Sequence, residues 1–174
     1  MRPWHAIAIE LLILLAVGLV GGLLMSRSGA VGQLLIALAA GVCDGLKLGD
    51  NAKAALNTRG LVEIKRFGMC QGAKAATFDG LSGLGDLITT CFSPFGRNLH
   101  VGRELGRGKS LKSILGSMTQ VAEGVPTTHA VVALAKKLKV EMPIAHEMDL
   151  ILRCRRAPME ALKSLMGRAA QRER

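Results

Sequence analysis

The 174 residues suffice for one domain with a real core and barely for two. Gly is abundant (21), aromatics are scarce (3%, no Tyr), and Ala, Leu and Val dominate, which favours close-packed helices over a β-sandwich and predicts an all-α fold. The net charge of +10 suits anions, but four Phe and one Trp are too few for the stacking platforms of single-stranded nucleic acid binding, and no groove-reading motif occurs. Small anionic metabolites therefore lead, and nucleic acid is not expected as a partner. Cys43, Cys70, Cys91 and Cys154 show neither C-x-x-C pairing nor zinc-type His spacing, so no metal site is expected and the four read as buried thiols of a reducing compartment.

Residues 7–25 are apolar apart from Glu10, long enough to cross a bilayer as a helix, with Trp4 suited to the interface. Residues 1–28 are read either as a transmembrane helix or as out-of-frame sequence joined to an unrelated domain. No small-x-small cleavage site follows before Arg27, which argues against a signal peptide.

In the body of the chain, Leu34 to Cys43 predicts a buried helix, broken by the turn from Asp44 to Gly49. Asp50 or Asn51 is expected to cap the next helix, an amphipathic one buried through Leu56, Gly60, Leu61, Ile64 and Phe67, with Lys53 and Glu63 among the charges on its other faces. Thr77 is expected to cap a short helix through Leu81, after which Gly83 and Gly85 allow close backbone approach before Asp86. Pro94 and Gly96 precede a helix starting near Arg97, and Ser110 caps another. Further stripes are Val131, Leu134, Ala135 and Leu138 after Pro126, then Ile144, Met148, Ile151 and Leu152, then Met159, Leu162, Leu165 and Met166. From Arg153 onward, seven Lys or Arg against two Glu read as a solvated basic tail.

The chemistry concentrates in Gly83-Leu84-Gly85-Asp86-Leu87-Ile88-Thr89-Thr90-Cys91 and Gly96-Arg97-Asn98. A carboxylate, hydroxyls and an Arg-Asn pair in a first helical turn suit a small phosphorylated polyol. The unpaired N–H groups and the helix dipole attract the anion, and Arg97 can grip phosphate oxygens bidentately. The competing structural reading makes Arg97-Asn98 an ordinary exposed helix start, Asp86 a cap and Glu123 a surface acid. No strand followed by G-x-G-x-x-G occurs, so a dinucleotide-binding half is not read in this sequence.

Residues from about 29 to 168 resemble the carboxy-terminal substrate domain of bacterial-type NAD(P)-dependent glycerol-3-phosphate dehydrogenase. The resemblance rests on Ala40-Gly41-Val42-Cys43-Asp44-Gly45-Leu46, Gly49-Asp50-Asn51, Thr58-Arg59-Gly60-Leu61, Gly83-Leu84-Gly85-Asp86-Leu87, Thr89-Thr90-Cys91, Arg97-Asn98, Val121-x-Glu123-Gly124 and Val140-Glu141-Met142-Pro143-Ile144, in that order. It implies a helical domain of the 6-phosphogluconate dehydrogenase C-terminal-like type, spanning 29–174 here. It also implies a cytoplasmic setting, unless 7–25 anchors the chain in a membrane.

The implied reaction is NADPH- or NADH-dependent reduction of dihydroxyacetone phosphate to sn-glycerol 3-phosphate, feeding phospholipid synthesis. Carried over by motif, Asp86, Thr90, Gly96, Arg97 and Asn98 are substrate-binding, and Arg97, Val121 and Glu123 face the cofactor. NADP or NAD would not be held by this chain alone; a separate Rossmann domain would have to supply the rest of its site.

One departure is large. The family follows Gly-Ala-x with Lys-Asn, the Lys serving as general acid/base, whereas Gly29-Ala30-Val31 is followed here by Gly32-Gln33. No catalytic residue is therefore assigned. Three readings remain: an enzyme completed by a Rossmann domain, a non-catalytic membrane-anchored domain that still binds glycerol phosphate, and an inactive fragment.

Overall fold

A computed structural model describes residues 31–168, and every regular element among them is helical, as the composition predicts. Helix α1 covers 31–45 and α2 covers Asp50–Met69. A single 3₁₀ turn (Ala75–Phe78) follows, and after Asp79 and Gly80 a π-helical turn (Leu81–Gly85) runs without a break into α3 (Asp86–Phe92). There follow α4 (Arg97–Gly106), α5 (Leu111–Ser117), α6 (Gly124–Leu138), α7 (Pro143–Leu152) and α8 (Pro158–Met166). The expected apolar helix at 7–25 lies outside the described residues; among those described, no helix is long and apolar enough to cross a membrane.

Helix α1 is the axis of the core. Leu35, Ile36, Ala37 and Leu38 are all fully buried, and four consecutive residues cover nearly the whole helix circumference. Its packing against α4 is set by glycine. Gly41 and Gly45 face Gly102 and Gly106, each pair four residues apart and so on one face of its helix. A Cβ on Gly102 would run into the Leu38 carbonyl and lie 3.0 Å from the Gly41 Cα, and one on Gly106 would lie 2.6 Å from the Val42 oxygen. The two backbones touch directly, an approach that no other residue permits. Between the same glycines, Asp44 of α1 accepts Lys53 of α2 at 2.6 Å and Arg103 of α4 at 3.2 Å, while the Lys53 ammonium stands 4.8 Å from the centre of the Phe92 ring on α3.

Several local expectations are corrected here. Of the expected stripe of α2, Gly60, Ile64 and Phe67 are buried as predicted and Leu56 and Leu61 only half-buried, but the same inner face also carries Lys53 and Glu63, expected on the other faces, together with Asn57. Lys53 and Glu63 are buried because partners on other helices satisfy them. The helix begins on Gly49 at φ 81, and neither Asp50 nor Asn51 caps it; Asp50 places its carboxylate in the first turn instead. Thr77 lies inside the 3₁₀ turn that Lys74 precedes. Cys43 and Cys91 are buried, but Cys70 and Cys154 are exposed. In the basic tail, Arg153 pairs with Asp149 at 2.8 Å and Arg156 with Glu147 at 2.6 Å, so both are tied to α7 rather than simply solvated. Within α8 only Ala161 is buried, and Met159 and Met166 point outward. Ser110 does cap α5, accepting from Ser113 N at 3.2 Å, and the predicted stripe of α7 is buried throughout.

Glu63 joins α2 to α7. Pro143 opens α7, and the backbone N–H groups of Ile144 and Ala145, which have no intrahelical acceptor, donate to the two Glu63 oxygens at 2.7 and 3.3 Å. Burial pushes the Glu63 carboxyl from an ordinary value of 4.5 to about 7, against the opposing pull of those two N–H groups and of Arg66 and Arg168. On Asp149, burial also raises the pKa, but hydrogen bonds from Arg153 and His129 outweigh it, and the carboxyl is lowered overall.

Replacing Gly102 by Ala is expected to cost about 2–3 kcal/mol in urea unfolding, because the carbonyl it meets belongs to a helix that cannot shift. Gly116→Ala, with no atom within 4 Å of the new Cβ, is the control and should be neutral or slightly stabilising. The raised Glu63 pKa means that the folded state binds this proton more tightly than the unfolded chain. Its stabilising contribution is therefore present below about pH 4.5 and lost as pH rises through about 7. The loss amounts to about 3 kcal/mol. The difference in unfolding free energy between wild type and Glu63→Gln should change by that amount between pH 4.5 and 8; parallel curves would refute the assignment.

Candidate functional site

The start of α4 is held by two side chains reaching the same segment. Pro94 and the extended backbone of Gly96 (φ −66, ψ 116) end one helix and open the next, so Arg97 and Asn98 fall in the first turn as expected. Asn98 is buried, and its Oδ1 accepts the Gly124 N–H at 2.9 Å. Arg97 is exposed, and its Nη1 donates to the Val121 carbonyl at 3.2 Å. Thr128, fully buried one turn into α6, donates to the Gly124 carbonyl at 2.7 Å and fixes the far side of that residue. A Cβ on Gly124 would lie 2.7 Å from Asn98 Oδ1 and 3.0 Å from the Leu34 carbonyl, so this glycine is the point where α1, α4 and the start of α6 meet. Val121 and Glu123 are both exposed beside it, and Glu123 makes no capping bond to α6.

The second part of the site is the π-helical turn and α3. Asp86 is the first residue of α3 and exposed; Thr90, one turn on and on the same face, is half-buried. The turn is compact because Gly83 packs against the Phe78 backbone, as its expected close approach requires, whereas Gly85 meets only the Leu81 side chain, at 3.5 Å or more. Gly96 stands at the junction with α4; a Cβ there would be 3.5 Å from the Thr90 carbonyl.

Position 33 connects the two parts. Gln33 is buried near the start of α1, and its Nε2 donates to the carbonyls of both Ser82 and Gly83 at 3.2 Å. The Gly83 oxygen also receives the backbone N–H of Asp86. The next residue of α1, Leu34, lends its carbonyl to the Gly124 contact beside Asn98. Arg97 and Asn98 are thus bonded directly to Val121 and Gly124, with Glu123 between these two in the chain, and Asp86 and Thr90 are tied to them through α1 and Gly96. Asp86 and Arg97 form no ion pair with each other among the described residues. Sequence reasoning did not foresee Thr128 or the Lys53–Asp44–Arg103 cluster; a Gln within an apolar run was the signal available for position 33. No group of His, Cys, Asp or Glu among the described residues could hold a metal ion.

The chain matches the family model described as NAD-dependent glycerol-3-phosphate dehydrogenase C-terminus over residues 27–163. It is 49% identical over 145 residues to glycerol-3-phosphate dehydrogenase [NAD(P)+] 1 of Salinibacter ruber, covering 83% of this chain and 42% of that protein. It is 53% identical over 139 residues to the corresponding enzyme of Geobacillus thermodenitrificans, covering 80% of this chain and 40% of the relative. The chain therefore spans less than half the length of these curated relatives. The solved glycerol-3-phosphate dehydrogenase of Coxiella burnetii superposes with a TM-score of 0.81 at 39% identity, over 83% of this chain and 45% of that one. The Saccharomyces cerevisiae enzyme gives 0.71 at 28% identity, over 78% of this chain and 40% of that one. With the family model covering most of the described helices, the chain belongs to the NAD-dependent glycerol-3-phosphate dehydrogenase family and corresponds to its C-terminal helical domain.

Proposed function

We propose that this chain is the substrate-binding half of a glycerol-3-phosphate dehydrogenase and that it holds glycerol 3-phosphate or dihydroxyacetone phosphate between α3 and α4. The observation that carries this reading is the stapling of the α4 start to Val121–Gly124. Arg97 and Asn98 are held at a helix N-terminus, with unpaired N–H groups and the positive end of the dipole beside them. With Asn98 Oδ1 committed to Gly124, its Nδ2 is the end left to donate to a phosphate oxygen. The Arg97 guanidinium has further donors beyond the one spent on Val121. Gly96 contributes its backbone at the edge of the site, and Thr90 and Asp86 lie along the α3 face suited to the polyol hydroxyls.

For a nicotinamide cofactor, Arg97, Val121 and Glu123 fit one end only. Val121 offers apolar surface at 67% exposure, and Glu123 offers a carboxylate that can accept from an amide. When bound, NAD(P)H would supply the hydride; none of the described elements is the strand-to-helix turn that a pyrophosphate needs. A Rossmann domain would hold the remainder and would cover the outward apolar side chains of Leu81, Leu84, Ile88 and Phe95.

Binding without turnover is favoured for this chain by itself. At position 33 both available N–H contacts of the amide go to main-chain carbonyls, and an amide has no proton to give at neutral pH.

Titration calorimetry of the full chain with glycerol 3-phosphate is expected to show binding that Arg97→Ala weakens roughly tenfold or more. Asn98→Asp keeps an acceptor for Gly124 N but replaces the donor with a negative charge. It should fold and lose the anion, whereas Asn98→Ala should also lose about 1–3 kcal/mol of stability by orphaning a buried N–H. Incubation with dihydroxyacetone phosphate should leave NADPH absorbance unchanged. Turnover by pure chain, or equal affinity in Arg97→Ala, would overturn the proposal.

A further inference from the structure

The side chain of Gln33 is turned toward neither Arg97 nor Asn98. It is buried and aimed at the π-helical turn that precedes Asp86, reaching two successive carbonyls from a helix some fifty residues earlier in the chain. A π-helical turn is a strained, poorly propagating geometry, and it is maintained where an outside contact stabilises it. Here the turn is closed by Gly85 N donating to Gly80 O at 3.3 Å and by the Asp86 N–H reaching both Leu81 O and Gly83 O. Gly83 O is therefore shared between the side chain at position 33 and the backbone of Asp86.

From this we infer that Gln33 is the positioning residue of the site: its amide, acting through the Gly83 carbonyl, fixes where α3 begins and hence where Asp86 and Thr90 stand relative to α4. The importance of that placement for ligand rests on the function proposed above; the holding of the turn does not. Three features support the inference. The contact is two-pronged, so it sets orientation as well as distance. The residue following Gln33 in α1 is in contact with Gly124, to which Asn98 is bonded, so one short stretch of α1 sets the register of both halves. The apolar neighbours of Gln33 in α1 supply no other donor.

The test compares wild type with Gln33→Met, which keeps length and volume but has no donor, and Gln33→Lys, which restores N–H donors. Amide hydrogen exchange is followed at Gly85 and Asp86 and, as a reference for global opening, at Met148 in α7. Exchange at Gly85 and Asp86 is expected to accelerate at least about fivefold in Gln33→Met, with Met148 unchanged, and to return toward wild type in Gln33→Lys. Calorimetric affinity for glycerol 3-phosphate should fall in Gln33→Met in parallel. Uniform acceleration at all three amides, no acceleration, or no recovery in Gln33→Lys would overturn the positioning role. Absence of glycerol 3-phosphate binding by wild type would instead refute the proposed function, and the exchange data would still decide whether Gln33 holds the turn.

Discussion

The direct contact of the α1 backbone with the α4 backbone is the constraint on which the rest of the domain depends. Four glycines remove the side chains that would separate the helices, so carbonyls of α1 meet Cα atoms of α4 with no adjustable group between them. Such an interface has one register. Sliding by one residue would bring a Cβ onto a carbonyl, and sliding by four would break the Asp44–Arg103 pair that lies between the glycines of the contact. Because α4 starts only five residues before Gly102, the register of the glycine contact also sets the position of Arg97 and Asn98. A stability feature deep in the core thus sets the geometry at the surface.

Charge then fills the space that the short side chains leave open. Asp44 receives a lysine from α2 and an arginine from α4, and the lysine continues to the face of Phe92 on α3, so four helices meet around one carboxylate. Buried ion pairs add little net stability over apolar packing, but removing one partner strands the other. Their effect here is to specify which helices adjoin. Glu63 acts similarly at the opposite end of α2, where two free N–H groups of α7 take the place of a cation. Asn57, between these two groups on the same inner face, keeps a buried Oδ1 without a partner among the described residues; nothing in the structure explains it.

What the sequence made legible follows from the range of the forces involved. Helix starts at Arg97 and Ser110 and the apolar stripe of α7 are local signals and are found where periodicity and capping place them. The polar inner face of α2 was not legible, because Lys53 and Glu63 are buried by virtue of Asp44 and of residues 144 and 145, the latter some eighty positions away. The π-helical turn escaped for the same reason: its glycines were visible, but the side chain that braces it comes from α1. At the site, the Arg-Asn pair and its helix start were readable from residue type and spacing. The attachment of both side chains to Val121–Gly124 was not, since it is made across 24 and 26 residues of chain.

Counted from Gly29-Ala30, the family pattern expects its lysine at Gly32, which has no side chain, and the side chain that reaches the π-helical turn is that of the next residue, Gln33. Two carbonyl oxygens pointing at one side chain create a region of negative potential, which suits any donor and suits a cation most. An ammonium in that place would be held by the same oxygens that now hold the amide, with a third N–H to spare. Gln33 satisfies the two oxygens and has no such surplus cationic donor. The two oxygens would orient a cationic donor, and the glutamine supplies none. Folding requires that the two buried carbonyls be paired, and a glutamine meets that requirement as well as a lysine does. Chemistry requires the extra proton as well. The two demands separate at this one side chain, which is how the domain can keep its helices and its turn while position 33 has no means of delivering a proton.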